Sequence, residues 1–81
     1  MDITAQILQV AASGPVTRSK MIYAAFISYL QLEEYLDTLM ERGLIDHIPA
    51  EDKYKTTESG LNYLKMASEL SRFIDSMPNE I

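Results

Sequence analysis

The stretch FISYLQLEEYLDTLMERGLI, residues 26–45, decides how this chain folds. Its apolar side chains recur at the three- and four-residue steps of one helix face, and they are Leu32, Tyr35, Leu36, Leu39 and Met40. Ser28 is placed to cap the start of this helix, and Gln31 to return the hydrogen bond as a capping box. Gly43 suits the left-handed turn that ends a helix. We therefore predict a helix over residues 29–42 that leads directly into an extended segment.

Two shorter helices are predicted upstream of this stretch. The first covers residues 2–13, has apolar residues at helical spacing, and ends at Gly14-Pro15. The second begins at a Thr17 cap and extends to about residue 25. Only two or three residues around Phe26 separate it from the next helix. Helices joined so tightly must cross rather than lie side by side.

A β-hairpin is predicted directly after the third helix. The residues LIDHI, 44–48, indicate a short strand, residues 49–52 a turn, and KYKT, 53–56, a returning strand. Because side chains alternate between the two faces of a strand, Tyr54 and Thr56 share one face, and Lys53 and Lys55 the other. We interpret His47, beside the turn, as a surface residue rather than a metal ligand.

A long C-terminal helix is predicted from Glu58 to Met77, after a Thr57 cap and before Pro78. It would be about 30 Å long, more than a domain of this size needs to cover its own core. Apolar residues at steps of four and three predict a coiled-coil homodimer, with an interface of Tyr63, Met66, Ala67, Leu70, Phe73, Ile74 and Met77. The alternative is that the helix packs only on its own domain, through Leu61 and Leu64.

The composition excludes several classes of protein. The 81 residues suffice for a single domain, with residues 1–60 as its main body and 58–77 as its C-terminal helix. There is no cysteine and only one histidine, so no metal site or cofactor is predicted. No acid–base pair, nucleophile or glycine-rich phosphate loop indicates an enzyme. Because no apolar run approaches 20 residues and no signal peptide is evident, we expect a soluble cytoplasmic protein without a membrane span.

The order of three helices, a two-stranded hairpin and a long helix is that of a winged helix-turn-helix domain, a mainly α fold with a small β-hairpin (α+β). The chain also resembles small archaeal winged-helix proteins that dimerise through an extended C-terminal helix. This resemblance covers roughly residues 3–74 and rests on Met21-Ile22-Tyr23, Ser28-Tyr29, Gln31-Leu32, Tyr35-Leu36, Leu39, Gly43-Leu44-Ile45 and Thr57 to Leu61. It implies a DNA-binding transcription regulator or chromatin-like factor, with the third helix in the major groove and the hairpin, or wing, along the backbone.

The corner between helices two and three departs from that family. This chain has Phe26 where the relatives often carry a small or turn-forming residue such as asparagine. A bulky residue fits a left-handed corner poorly. We therefore expect either a corner of different shape or a buried Phe26.

The acidity of the third helix is the second departure. This helix carries Glu33, Glu34, Asp37 and Glu41, and the net charge of the chain is −5. Acids near phosphates oppose the affinity that lysine and arginine provide. The residues left to contact duplex DNA are Arg18, Lys20, Ser28, Tyr29, Leu30, Gln31, Lys53 and Lys55. The alternative function is that of a protein-interaction module whose acidic helix-three face binds a basic partner.

Overall fold

The structure, a computed structural model, describes residues 2–76 of the chain. Its elements are α1 Ile3–Ala12, α2 Arg18–Ala25, α3 Tyr29–Glu41, β1 Ile45–Ile48, β2 Lys53–Thr56 and α4 Glu58–Ser76. The predicted order of three helices, a hairpin and a long helix is confirmed. Met77 and Pro78, at the expected end of the last helix, lie outside the described residues.

Side-chain caps begin each of these four helices, and they are the predicted residues Asp2, Thr17, Ser28 and Thr57. Thr57 Oγ1 accepts a hydrogen bond from the amide of Gly60 at 3.1 Å and donates one to the carbonyl of Gly43 at 2.7 Å. Gly43 itself has φ +72°, the left-handed turn predicted at the end of α3. These caps satisfy amides that the first turn of a helix leaves unpaired, so local sequence sets where the helices begin.

The hydrophobic core lies where the first three helices meet the hairpin. Its buried members are Ile7, Leu8, Ala11, Met21, Ala25, Ile27, Leu32, Leu36, Leu39, Ile45 and Tyr54. Three leucines of the predicted α3 stripe belong to it, while Tyr35 packs at its edge and Met40 is exposed. Each large buried side chain contributes roughly 1.5–3 kcal/mol. The stripe therefore holds α3 against the core and turns its other face to solvent.

The hairpin pairs β1 with β2 in the register Ile45↔Thr56 to Ile48↔Lys53. Tyr54 and Thr56 are buried and Lys55 is exposed, which confirms the predicted alternation. A third chain segment also pairs here, which the sequence reasoning missed. Val16 and Tyr54 exchange backbone hydrogen bonds of 2.9 and 2.8 Å. This bridge joins the segment before α2 to the wing.

The start of α4 approaches the rest of the domain closely at Gly60. A Cβ built on this residue would collide with the carbonyl oxygen of Leu44 and the methyl group of Thr56. Thr56 is buried and donates a hydrogen bond to the carbonyl of Leu8 at 2.7 Å. Because Gly60 has no side chain, α4 can pack directly on strand β2 and on the connection between α3 and β1.

The expectation for Phe26 is wrong in both of its forms. Phe26 takes a left-handed conformation, with φ 55° and ψ 47°, and its side chain is 92 % exposed. The physical reason lies in its neighbours. The Phe26 amide donates to the carbonyl of Ile22 at 2.9 Å, Ile27 is buried, and Ser28 caps α3. The backbone must turn sharply between these anchored residues, and the turn lies at the surface.

Candidate functional site

A cluster of charged side chains ties α2, α3 and the wing together. Arg18 Nε donates to Glu33 Oε1 at 2.6 Å. Arg18 Nη1 donates to both carboxylate oxygens of Asp52, at 3.0 and 3.2 Å. Since Asp52 lies in the wing turn, one guanidinium bridges the start of α2, the first turns of α3 and the tip of the hairpin. The wing is thereby held beside α3.

Two rings complete this Arg18 cluster. The guanidinium carbon of Arg18 lies 5.0 Å from the centre of the Tyr54 ring, within the range of a cation–π contact. The His47 ring lies 4.7 Å from that of Tyr54, and its Nε2 is 2.9 Å from Asp52 Oδ1. Hydrogen bonds from His47 and then Arg18 hold the pKa of Asp52 below its usual range. No group of three potential metal ligands occurs among residues 2–76.

The basic side chains predicted to contact DNA differ in their exposure and in their ion pairs. Lys20 and Lys55 are exposed, and Lys53 is half-buried, with its Nζ 3.9 Å from a carboxylate oxygen of Glu51. Arg18 is already engaged with two carboxylates. The sequence reasoning missed this engagement because the partners of Arg18 lie 15 and 34 positions away along the chain. Lys20, Lys53 and Lys55 therefore supply the positive charge that is available to DNA near the wing and α2.

The start of α3 carries the predicted capping box. Ser28 Oγ accepts from the Gln31 amide at 3.1 Å, and Gln31 Oε1 accepts from the Ser28 amide at 2.9 Å. The cap therefore uses the side-chain oxygen of Gln31 and leaves its NH₂ group as the donor for an outside partner. The side chains of Tyr29 and Leu30 are both more than half exposed beside it. This helix start is the part of α3 best suited to meet an anionic ligand, because its dipole end is positive.

The outward face of α3 is acidic beyond that first turn. Leu30, Glu34, Asp37 and Glu41 follow one another at steps of four, three and four, so they lie along one line of the helix, and all four are exposed. Within residues 2–76, none of these three acids takes part in an ion pair. Glu33 is different, because it is partly buried and bound to Arg18. The exposed acids of α3 are therefore Glu34, Asp37 and Glu41, and Glu33 is not one of them.

The predicted dimer residues differ in how far their side chains are exposed along α4. Tyr63 packs at the edge of the core, and Ala67 lines a groove between α4 and α1 with Ala5 and Leu64. Four others remain more than half exposed, and they are Met66, Leu70, Phe73 and Ile74. Met77 lies outside the described residues. We call Met66, Leu70, Phe73 and Ile74 the exposed seam. Tyr63 and Ala67, in contrast, lie against other parts of the same protomer.

Comparison with known protein families identifies the fold. A family model described as winged helix-turn-helix matches residues 1–75. The comparison with curated proteins yields no matching relative. Winged helix-turn-helix domains typically bind DNA and are usually non-catalytic. No helix in residues 2–76 combines the length and apolarity needed to cross a membrane. With three helices, a hairpin wing and a long last helix in place, the chain belongs to the winged helix-turn-helix family.

Proposed function

We propose that this chain is a transcription regulator that binds duplex DNA as a homodimer, through the start of α3 and the wing. The observation that carries the proposal is the wing held beside the exposed α3 start by Arg18. The amides of Tyr29 and Leu30, which the capping box does not use, and the positive dipole end of α3 suit one phosphate. Lys20, Lys53 and Lys55 would contact neighbouring phosphates. In this arrangement the acids at Asp37 and Glu41 stay outside the groove.

The salt dependence of binding tests this proposal quantitatively. Three lysines per protomer predict a slope of log affinity against log salt of roughly −3, and a dimer roughly −5, at −0.9 per phosphate contact. The measurement is fluorescence anisotropy with a random-sequence duplex at low and physiological salt. Lys53→Ala with Lys55→Ala should weaken binding to every sequence alike and make the slope shallower by about 2 per protomer. Lys65→Ala, an exposed lysine on α4, is the matched control and should leave the slope unchanged.

Two results would contradict DNA binding by these residues. The first is a salt slope that stays the same in the double lysine variant. The second is absence of binding at low salt, where electrostatic attraction to phosphates is strongest.

The proposed dimer rests on the seam of Met66, Leu70, Phe73 and Ile74. A run of exposed apolar residues of this kind is typical of an interface between helices. Leu70→Glu should convert the dimer to a monomer in sedimentation equilibrium, because it places a charge in an apolar contact. Lys65→Glu, which adds the same side chain away from the seam, is the control and should remain dimeric. A wild-type chain that sediments as a monomer would refute the dimer.

The acidic face of α3 favours a second candidate function, binding of a basic protein partner. Glu34, Asp37 and Glu41 form one exposed line of negative charge. Complementary charge mainly sets the specificity and the association rate of a protein complex. Asp37→Lys with Glu41→Lys should abolish such binding. A partner retained by this double variant would refute the second function.

A further inference from the structure

The Phe26 side chain contributes almost nothing to the packing of the fold. It is 92 % exposed, and its backbone is left-handed, a conformation that glycine and asparagine adopt far more readily than phenylalanine. Neither the core nor the turn therefore requires an aromatic residue here. DNA contact by the wing and dimerisation through α4 do not use it either. Strained residues of this kind tend to occur at functional positions.

Phe26 is the centre of an apolar surface at the corner between α2 and α3. Tyr23 is 82 % exposed, Leu30 74 % and Tyr29 55 %. A shallow groove at this corner is lined by Ile22, Tyr23, Phe26 and Ile27. Exposed apolar patches bordered by polar residues mark interaction sites, and aromatic side chains often dominate the binding energy of protein interfaces. We call these residues, Ile22, Tyr23, Phe26, Ile27, Tyr29 and Leu30, the corner patch.

The acidic line of α3 continues directly from the corner patch. Leu30 belongs to the patch, and Glu34, Asp37 and Glu41 follow it on the same exposed helix face. From Leu30 to Glu41 the line extends about 16 Å, at 1.5 Å per residue. The combined surface is therefore apolar and aromatic at one end and negatively charged at the other.

We propose that the corner patch and the acidic line together bind one helix of a partner protein. Along its length, this helix would carry apolar residues in one half and lysine or arginine in the other. The positive half would pair with Glu34, Asp37 and Glu41, and the apolar half would cover Tyr23 and Phe26. The line from Leu30 to Glu41 alone matches about 11 residues of a partner helix, and the rest of the corner patch extends the surface beyond it. A nucleic acid fits this surface poorly, because its bases could stack on the aromatic rings but its phosphates would meet the carboxylates. The inference rests on the second candidate function and is independent of DNA binding by the wing.

Occupation of this surface has a consequence for DNA. Tyr29 and Leu30 belong both to the corner patch and to the helix start proposed to approach a duplex. A bound partner helix would therefore cover that approach. The partner and DNA should compete for the same protomer.

The test is selection of helical peptides from a random display library on the immobilised full chain. We expect enriched peptides that combine apolar residues with lysine or arginine, and that bind more weakly as salt increases. Phe26→Ala should reduce their affinity at least tenfold, and Asp37→Lys with Glu41→Lys should abolish binding. Leu61→Ala removes an exposed apolar side chain of α4 that lies outside both the corner patch and the seam, and it should retain wild-type affinity. Circular dichroism of each variant establishes that it is folded.

The outcomes separate this inference from the function on which it rests. Peptides that need the acids but bind Phe26→Ala as well as the wild type would overturn the role of the corner patch and leave the second function standing. Equal losses in Phe26→Ala and Leu61→Ala would also overturn it, because they would indicate non-specific apolar adsorption. No enrichment of basic, apolar peptides would overturn both, and DNA binding would be unaffected.

Discussion

Replacement of Phe26 by glycine should stabilise the protein, although it removes a large apolar side chain. A left-handed conformation costs a residue with a Cβ about 1–2 kcal/mol. Glycine avoids that cost but loses about 0.5–1 kcal/mol more backbone entropy on folding. The Phe26 ring is 92 % exposed, so its removal forfeits little hydrophobic stabilisation. We therefore expect Phe26→Gly to raise the free energy of unfolding by about 1 kcal/mol.

Phe26→Ala is the matched control, because it removes the ring but keeps the Cβ that causes the cost. Its free energy of unfolding should equal that of the wild type, while its affinity for the selected peptides should fall at least tenfold. The assays are urea denaturation and thermal melting followed by circular dichroism. One fixed protein concentration is used, because the proposed dimer would make the midpoint depend on concentration. A gain of about 1 kcal/mol corresponds to a melting temperature roughly 4–8 °C higher for a domain of this size.

Either of two results would refute this account of the corner. A Phe26→Gly variant that is less stable than Phe26→Ala would mean that the backbone at this position does not turn left-handed. A large loss of stability in Phe26→Ala would mean that the ring packs against the domain instead of facing solvent.

Two further predictions concern α4 and the Arg18 cluster. Gly60→Ala should lower the free energy of unfolding by about 1–3 kcal/mol in urea titrations, because its Cβ meets the Leu44 carbonyl, whereas the neighbouring exposed Ser59→Ala should change little. The pKa of Asp52 is depressed, chiefly by its hydrogen bond with His47. The ionised Asp52 carboxylate therefore stabilises the folded protein at pH values above the ordinary carboxyl pKa of 3.8, and this stabilisation is lost as the pH falls below that value. Asp52→Asn should therefore be less stable than the wild type at neutral pH, and this difference should shrink as the pH falls through the depressed pKa of Asp52. A difference that does not change under acid conditions would contradict the linkage.

Features that depend on nearby residues were predictable from the sequence. The capping box at Ser28 and Gln31 involves residues three positions apart, and the left-handed Gly43 follows the end of the same helix. The alternation of Tyr54 with its neighbours likewise depends only on the geometry of a strand. For this reason the order of the elements, their approximate bounds and the acidic character of α3 were predictable from the sequence.

Features that depend on distant contacts were not predictable. Val16 pairs with Tyr54 across 38 positions of the chain, and nothing in the local pattern around Val16 requires it. The apolar stripe predicted as a dimer interface is not exposed over its whole length, since Ala67 lines the groove between α4 and α1. Periodicity identifies an apolar stripe on a helix, but only the neighbouring helix decides which part of that stripe it covers.

The sequence by itself determined the winged helix-turn-helix architecture and its excess of negative charge, because periodicity, caps and net charge are properties of the chain alone. Only the tertiary structure decided which charges and apolar side chains remain free. It pairs Arg18 with Glu33 and Asp52, and it leaves Glu34 and Phe26 facing solvent. The physical reason is that side-chain pairing depends on distances in space, which the crossing of α2 and α3 and the position of the wing set together.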